Sequence, residues 1–75
     1  MMLRRFNGTV EGILVASYRR GKFTWNCRIT EDGFYTATFH NGRQSNTTYF
    51  SRDAREINDL IKKQLADGFK MTFKA

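Results

Sequence analysis

Proline is absent from these 75 residues, cysteine and histidine occur once each, and seven acidic residues stand against thirteen Lys and Arg. Each shortage closes off a class of protein. With no proline, no repeat and no low-complexity tract, nothing marks a linker, so residues 1–75 read as a single small domain. The lone Cys27 cannot form an internal disulfide, which fits a reduced, cytoplasmic setting. His40 has no Cys or carboxylate at a metal-ligand spacing, so neither a zinc site nor any other cofactor is expected. No apolar run reaches the roughly 18 residues of a membrane span, and the N-terminus carries no signal-peptide apolar stretch. A chain this short buries only roughly 60% of its extended surface, which argues against a large catalytic cleft.

What the chain does have is aromatic content, with seven Phe, three Tyr and one Trp, enough for a folded core rather than a disordered segment. Phe23, Trp25, Cys27 and Ile29 alternate with Thr24, Asn26, Arg28 and Thr30, the period of a half-buried strand. Glu31-Asp32-Gly33 suits a three-residue hairpin loop, and Asn41-Gly42 is a strong two-residue hairpin signal. Pairing Thr30 with Phe34 sets Ile29 against Tyr35, Cys27 against Ala37 and Trp25 against Phe39 on a core side. Arg28 then lies against Thr36, Asn26 against Thr38 and Thr24 against His40 on the other side. Carried through Asn41-Gly42, the register sets His40 against Arg43, Thr38 against Ser45 and Thr36 against Thr47. It also puts Gln44, Asn46 and Thr48 on the core side, which marks 43–50 as a partly covered edge strand.

Upstream, Arg19-Arg20-Gly21 read as a loop ending in glycine sets Tyr18 opposite Lys22, Val15 opposite Trp25 and Ile13 opposite Cys27. Leu14, Ala16 and Tyr18 would then face outward as a contact patch. Residues 1–8 are an arm or a short edge strand, folding back at Asn7-Gly8 with Arg4 opposite Glu11. Ser51 is a good N-cap, and Ala54, Ile57, Leu60, Ile61 and Leu65 make one apolar stripe before Asp67-Gly68 ends the helix. Phe69, Met71 and Phe73 alternate with lysines and threonine as a closing strand, expected beside the first long strand. The expected fold is α+β: a twisted antiparallel meander of four strands (about 9–18, 22–30, 34–40 and 43–50), one amphipathic helix (about 52–67) on one face, and a short strand at 69–74.

The outward face of that meander carries Lys22, Thr24, Asn26, Arg28, Thr36, Thr38, His40, Arg43 and Thr47, with no carboxylate among them. This composition suits DNA. Arg can bridge guanine O6 and N7, Asn can bridge adenine N6 and N7, and Thr can touch phosphate or a thymine methyl. Arg28, Arg43 and Asn26 are the candidate base readers. Arg19, Arg20 and Lys22 form the densest positive charge and are candidate phosphate contacts, whose strength falls with salt. Thr-rich strand faces also arise from β-propensity alone. Single-strand stacking is disfavoured, because the central outer positions are Thr and Asn rather than aromatic.

In outline, three strands followed by a packed helix, Phe23 to Leu65, is similar to the sheet-reading DNA-binding domains of certain plant transcription factors and of integrase N-terminal arm domains. The preceding and closing strands depart from that pattern. The leading expectation is a small non-enzymatic module binding duplex DNA. The alternative is a compact phage or mobile-element protein that modulates a host protein through the same basic face or an edge strand, with homodimerisation through 43–50 compatible with either.

Overall fold

The computed structural model of the protein describes residues 3–42 and 45–75. In chain order the elements are β1 (Arg4–Asn7), β2 (Ile13–Arg20), β3 (Phe23–Ile29), β4 (Tyr35–His40), β5 (Asn46–Ser51), α1 (Ala54–Ala66) and β6 (Lys70–Lys74). The strands form one antiparallel sheet in the order β1-β5-β4-β3-β2-β6, with α1 packed on one face. The closing strand lies beside β2, the side to which the helix returns the chain.

The β3–β4 hairpin has the expected register, Thr24 opposite His40 through Ile29 opposite Tyr35. Its turn is closed by Thr30 N–H donating to the Phe34 carbonyl at 2.9 Å, with Gly33 left-handed at φ 90°. The two neighbouring hairpins differ from expectation by three residues each. Tyr18 pairs with Trp25, not Lys22, so the turn is Gly21-Lys22 alone. Its glycine at φ 60° in the first central position is the arrangement of a type II′ turn. Thr38 pairs with Thr48, not Ser45, and His40 with Asn46, so the pairing does not follow from a two-residue turn at Asn41-Gly42.

An odd shift turns a strand over, and burial explains why both shifts occur. In β2, Ala16 and Tyr18 enter the core at 9% and 8% exposure instead of forming an outward patch. In β5, Tyr49 comes to the helix side with its ring 5.8 Å from Trp25, while Thr48 leaves the core for the opposite face. A bulge between Leu14 and Ala16 puts Ile13 opposite Ile29 rather than Cys27, and Ile13 is 73% exposed. The resulting core is Ala16, Tyr18, Trp25, Cys27, Ala37, Ile57, Ile61 and Phe69. Cys27 is buried there, and burial pushes its thiol up to about 11.

The helix begins later than expected. Asp53, not Ser51, is the N-cap, its side chain accepting from Arg55 N–H at 3.0 Å. Ser51 supports the cap from outside: its Oγ accepts from Asp53 N–H at 2.9 Å and donates to the Glu56 carboxylate. At the other end the backbone N–H groups of Asp67, Gly68 and Phe69 donate to the last carbonyls of α1, with Gly68 at φ 100°.

The N-terminal segment does not fold back on itself. β1 pairs with β5, Arg4 opposite Phe50 and Phe6 opposite Thr48, so β5 is an interior strand and the free edges are β1 and β6. Dimerisation through 43–50 loses its open edge, although residues 43 and 44 themselves lie outside the described residues. From the β1 edge, residues 8–12 must travel to β2, across the side of the sheet opposite α1. They are held there by Thr48 Oγ1 donating to the Gly8 carbonyl at 2.7 Å and Arg28 Nη1 donating to the Gly12 carbonyl at 3.0 Å.

Candidate nucleic-acid interface

The register assigns the helix-free face row by row. The middle row holds Ser17, Asn26, Thr38, Thr48 and Phe6, and the next holds Leu14, Arg28, Thr36, Phe50 and Arg4. The third row, at the end with the Gly21-Lys22 turn, holds Lys70, Arg19, Thr24, His40 and Asn46. These rows differ sharply in what they can offer a ligand.

The first two rows are largely spoken for. Thr36 and Thr38 are 1% and 3% exposed, so neither presents a hydroxyl to a duplex. Thr36 Oγ1 donates to the Arg28 carbonyl at 3.1 Å, and Thr38 meets Thr48 at 2.8 Å. Asn26 is half-buried and accepts from Ser17 Oγ at 2.7 Å. Arg28 is half-buried with Nη1 committed to the connector. The open lattice expected from the sequence is therefore covered in its centre, and the physical reason is the crossing of residues 8–12. No turn or periodicity signal in the sequence pointed to that crossing.

Two further candidates lie on the helix side. Thr47 pairs with Phe39 on the Trp25 face. Arg20 pairs with Phe23 and reaches the end of α1, where Nη1 meets the Asp67 carboxylate at 2.9 Å and the guanidinium lies 4.9 Å from the Phe69 ring centroid. Arg43 falls outside the described residues.

The row at the turn end keeps its access. Arg19 and Lys22 are exposed, Thr24 and His40 half-buried, and exposed Lys70, which sequence reasoning left out, lies opposite Arg19. Its alternation with Met71 was the signal that could have placed it. Arg19 Nε donates to the Gly21 carbonyl at 2.7 Å, which leaves the rest of its donor fork available. The Lys22 ammonium lies 5.7 Å from the Phe23 ring, and the His40 Nδ1 is 2.8 Å from Asn46 Oδ1. Among the described residues the ion-paired cations are Arg20 and Arg55, neither of them in this row.

Three of the seven acidic groups gather at the other end, while Asp67 at this end is paired with Arg20. Glu31 and Asp32 share the β3–β4 turn at the far end of the strands, with Glu11 beside them. Among the described residues no three His, Cys, Asp or Glu side chains come together as metal ligands, and no helix is long and apolar enough to cross a membrane. Comparison of the chain with protein-family models, with curated proteins and with solved structures finds no match.

Proposed function

We propose that this chain is a small non-enzymatic module that binds duplex DNA through its phosphates, using the basic end of the helix-free face. The observation that carries the reading is the placing of the cations: among the described residues Arg19, Lys22 and Lys70 share one end of the molecule without an ion pair, and the Asp67 carboxylate at that end is taken by Arg20. A net charge of +6 supplies long-range attraction for a polyanion. Because Thr36, Thr38 and most of Arg28 are withdrawn from solvent, the reading favours sequence-independent phosphate contact over base recognition. Thr24 and His40 flank the cations as further hydrogen-bonding groups.

The test is fluorescence anisotropy of labelled duplexes of two unrelated sequences, at roughly 50 and 200 mM salt. Both should bind alike, more weakly at the higher salt, and Arg19→Ala, Lys22→Ala and Lys70→Ala should each flatten the salt dependence by about one charge. Absence of binding at the lower salt removes the reading.

The exposed edge strand β6 favours a second reading, a protein-modulating role. Met71 and Phe73 are 49% and 44% exposed on an edge bearing Lys70 and Lys74, a surface that a partner strand with acidic residues could extend. Binding that survives loss of Arg19, Lys22 and Lys70 but not of the β6 edge would favour it.

A further inference from the structure

The end of the molecule opposite the basic row holds a different surface. A groove of about 700 Å³ opens between residues 8–12 and the β3–β4 turn, lined by Phe6, Val10, Phe34, Phe50 and the carboxylate-bearing Glu11, Glu31 and Asp32. That volume lies within the range of small-molecule sites. Its floor is an aromatic array: Phe6 and Phe34 each stand edge-on to Phe50 with centroids 5.7 Å apart. Phe6 is 39% exposed, so the array is open to solvent rather than closed over as core.

The groove is acidic in a basic chain. Three of the seven Asp and Glu lie on it, contributed by two separate elements, the connector and the turn. Asp32 accepts from Thr30 Oγ1 at 2.6 Å, and that hydrogen bond holds its carboxyl below the usual range, so it remains ionised. Rings beside carboxylates make a surface for a cation carried on an apolar stem. The fold already uses it in that way once. The Arg52 guanidinium lies 4.2 Å from the Phe34 centroid and donates to the Asp32 carbonyl at 3.2 Å.

We infer that this groove is a docking site for an extended segment of a partner protein in which Arg or Lys alternates with apolar residues. The apolar side chains rest on Phe6, Val10 and Phe50, and the basic ones meet Glu11 on one element and Glu31 and Asp32 on the other. Charge complementarity selects this occupant over nucleic acid, which the carboxylates repel.

The probe is a fluorescein-labelled eight-residue peptide of alternating arginine and leucine, titrated into the intact protein without nucleic acid. The matched peptide with glutamate in place of arginine is the control. Expected are saturable binding of the basic peptide alone and an about tenfold loss in the Glu11→Lys/Glu31→Lys double variant, both positions being exposed. Amide chemical shifts of the unmodified protein should move at Phe6, Val10, Phe34 and Phe50, a readout that does not depend on any variant folding. Equal binding of the two peptides, indifference to the double variant when it is folded, or shifts confined to other surfaces would overturn the assignment, as would absence of binding.

Discussion

Thr38 and Thr48 meet across β4 and β5 with their hydroxyl oxygens 2.8 Å apart, and the direction of that hydrogen bond is fixed by a third group. Thr48 spends its one proton on the Gly8 carbonyl, so Thr38 must be the donor to Thr48. The relay ties the sheet centre to the connector that crosses it. It also makes Thr38, which the sequence places in a solvent-facing polar lattice, part of an internal fastening, with Thr48 0% exposed.

Replacing Thr48 by Val should therefore cost about 1–3 kcal/mol, because the Thr38 hydroxyl and the Gly8 carbonyl lose a buried partner together. Thr38→Val leaves the Thr48–Gly8 bond in place and should cost less. The double variant should cost less than the two single losses combined, since both then remove the same relay. Urea unfolding of the three variants checks this, and strict additivity would mean that the two hydroxyls act independently.

The alternation of Phe23 to Ile29 and the Glu31-Asp32-Gly33 turn were enough to place every pair of the central hairpin, because both register and burial agreed there. The helix stripe was legible because Ile57 and Ile61 are buried on it, whereas the closing strand was legible by alternation alone, with Met71 and Phe73 left exposed on an edge. Where the sequence misled, a turn signal competed with burial and burial won. Asn41-Gly42 would have put Thr48 in the core, and a loop ending at Gly21 would have put Tyr18 outside it. The sheet instead buries Tyr18 and turns Thr48 to the other face. The pairing of β1 with β5 is a contact between distant parts of the chain, and no local pattern encodes it. The burial of two candidate residues, Thr36 and Thr38, was hidden with it.

Arg20 and Arg19 are neighbours in sequence with opposite duties in the fold. Arg20 clamps Asp67 and lies over Phe69, whereas Arg19 shares the basic row with Lys70. The Arg20–Asp67 pair is about half exposed, at 45% and 63% of the two side chains, so solvent screens it heavily. Arg20→Ala should lower stability by no more than about 1 kcal/mol and leave duplex affinity nearly unchanged. Arg19→Ala should do the reverse. Thermal unfolding and anisotropy on the same two proteins separate these outcomes, and equal affinity losses would show that both arginines face the polyanion.

Cys27 gives the protein an alkaline liability. Burial raises its thiol from 9.0 to about 11 in the folded state, so between those values the unfolded chain releases a proton that the native chain keeps. Stability is fully present below pH 9 and falls as pH rises toward 11, by up to about 1.4 kcal/mol per pH unit. Tyr18, also raised by burial and then by the neighbouring Cys27, adds to the loss above its ordinary 10.0. Unfolding curves from pH 8 to 11 should show the decline, and Cys27→Ala should remove its lower part. A native thiol that reacts freely with a disulfide reagent at pH 8 would contradict the burial on which the prediction rests.

Gly12 is where the connector comes down onto the end of β3, and its lack of a side chain is what lets it seat. A Cβ there would lie 2.6 Å from the Ile29 carbonyl oxygen and 3.0 Å from its carbon, backbone atoms that no rotamer change can move aside. Gly12→Ala should lift residues 8–12 away from the sheet and weaken the Arg28 bond to the Gly12 carbonyl, at a cost of about 1–3 kcal/mol. Gly21 is the useful contrast. A Cβ at that position meets nothing within 4 Å, so Gly21→Ala suffers only the strain of a left-handed φ of +60°, about 1–2 kcal/mol. Stability alone will not tell the two apart, but amide hydrogen exchange will. Lifting the connector uncovers Thr36 and Thr48, whose amides should exchange faster in Gly12→Ala and stay protected in Gly21→Ala at matched global stability. Equal protection in both would mean that the connector is held by its Gly8 end alone.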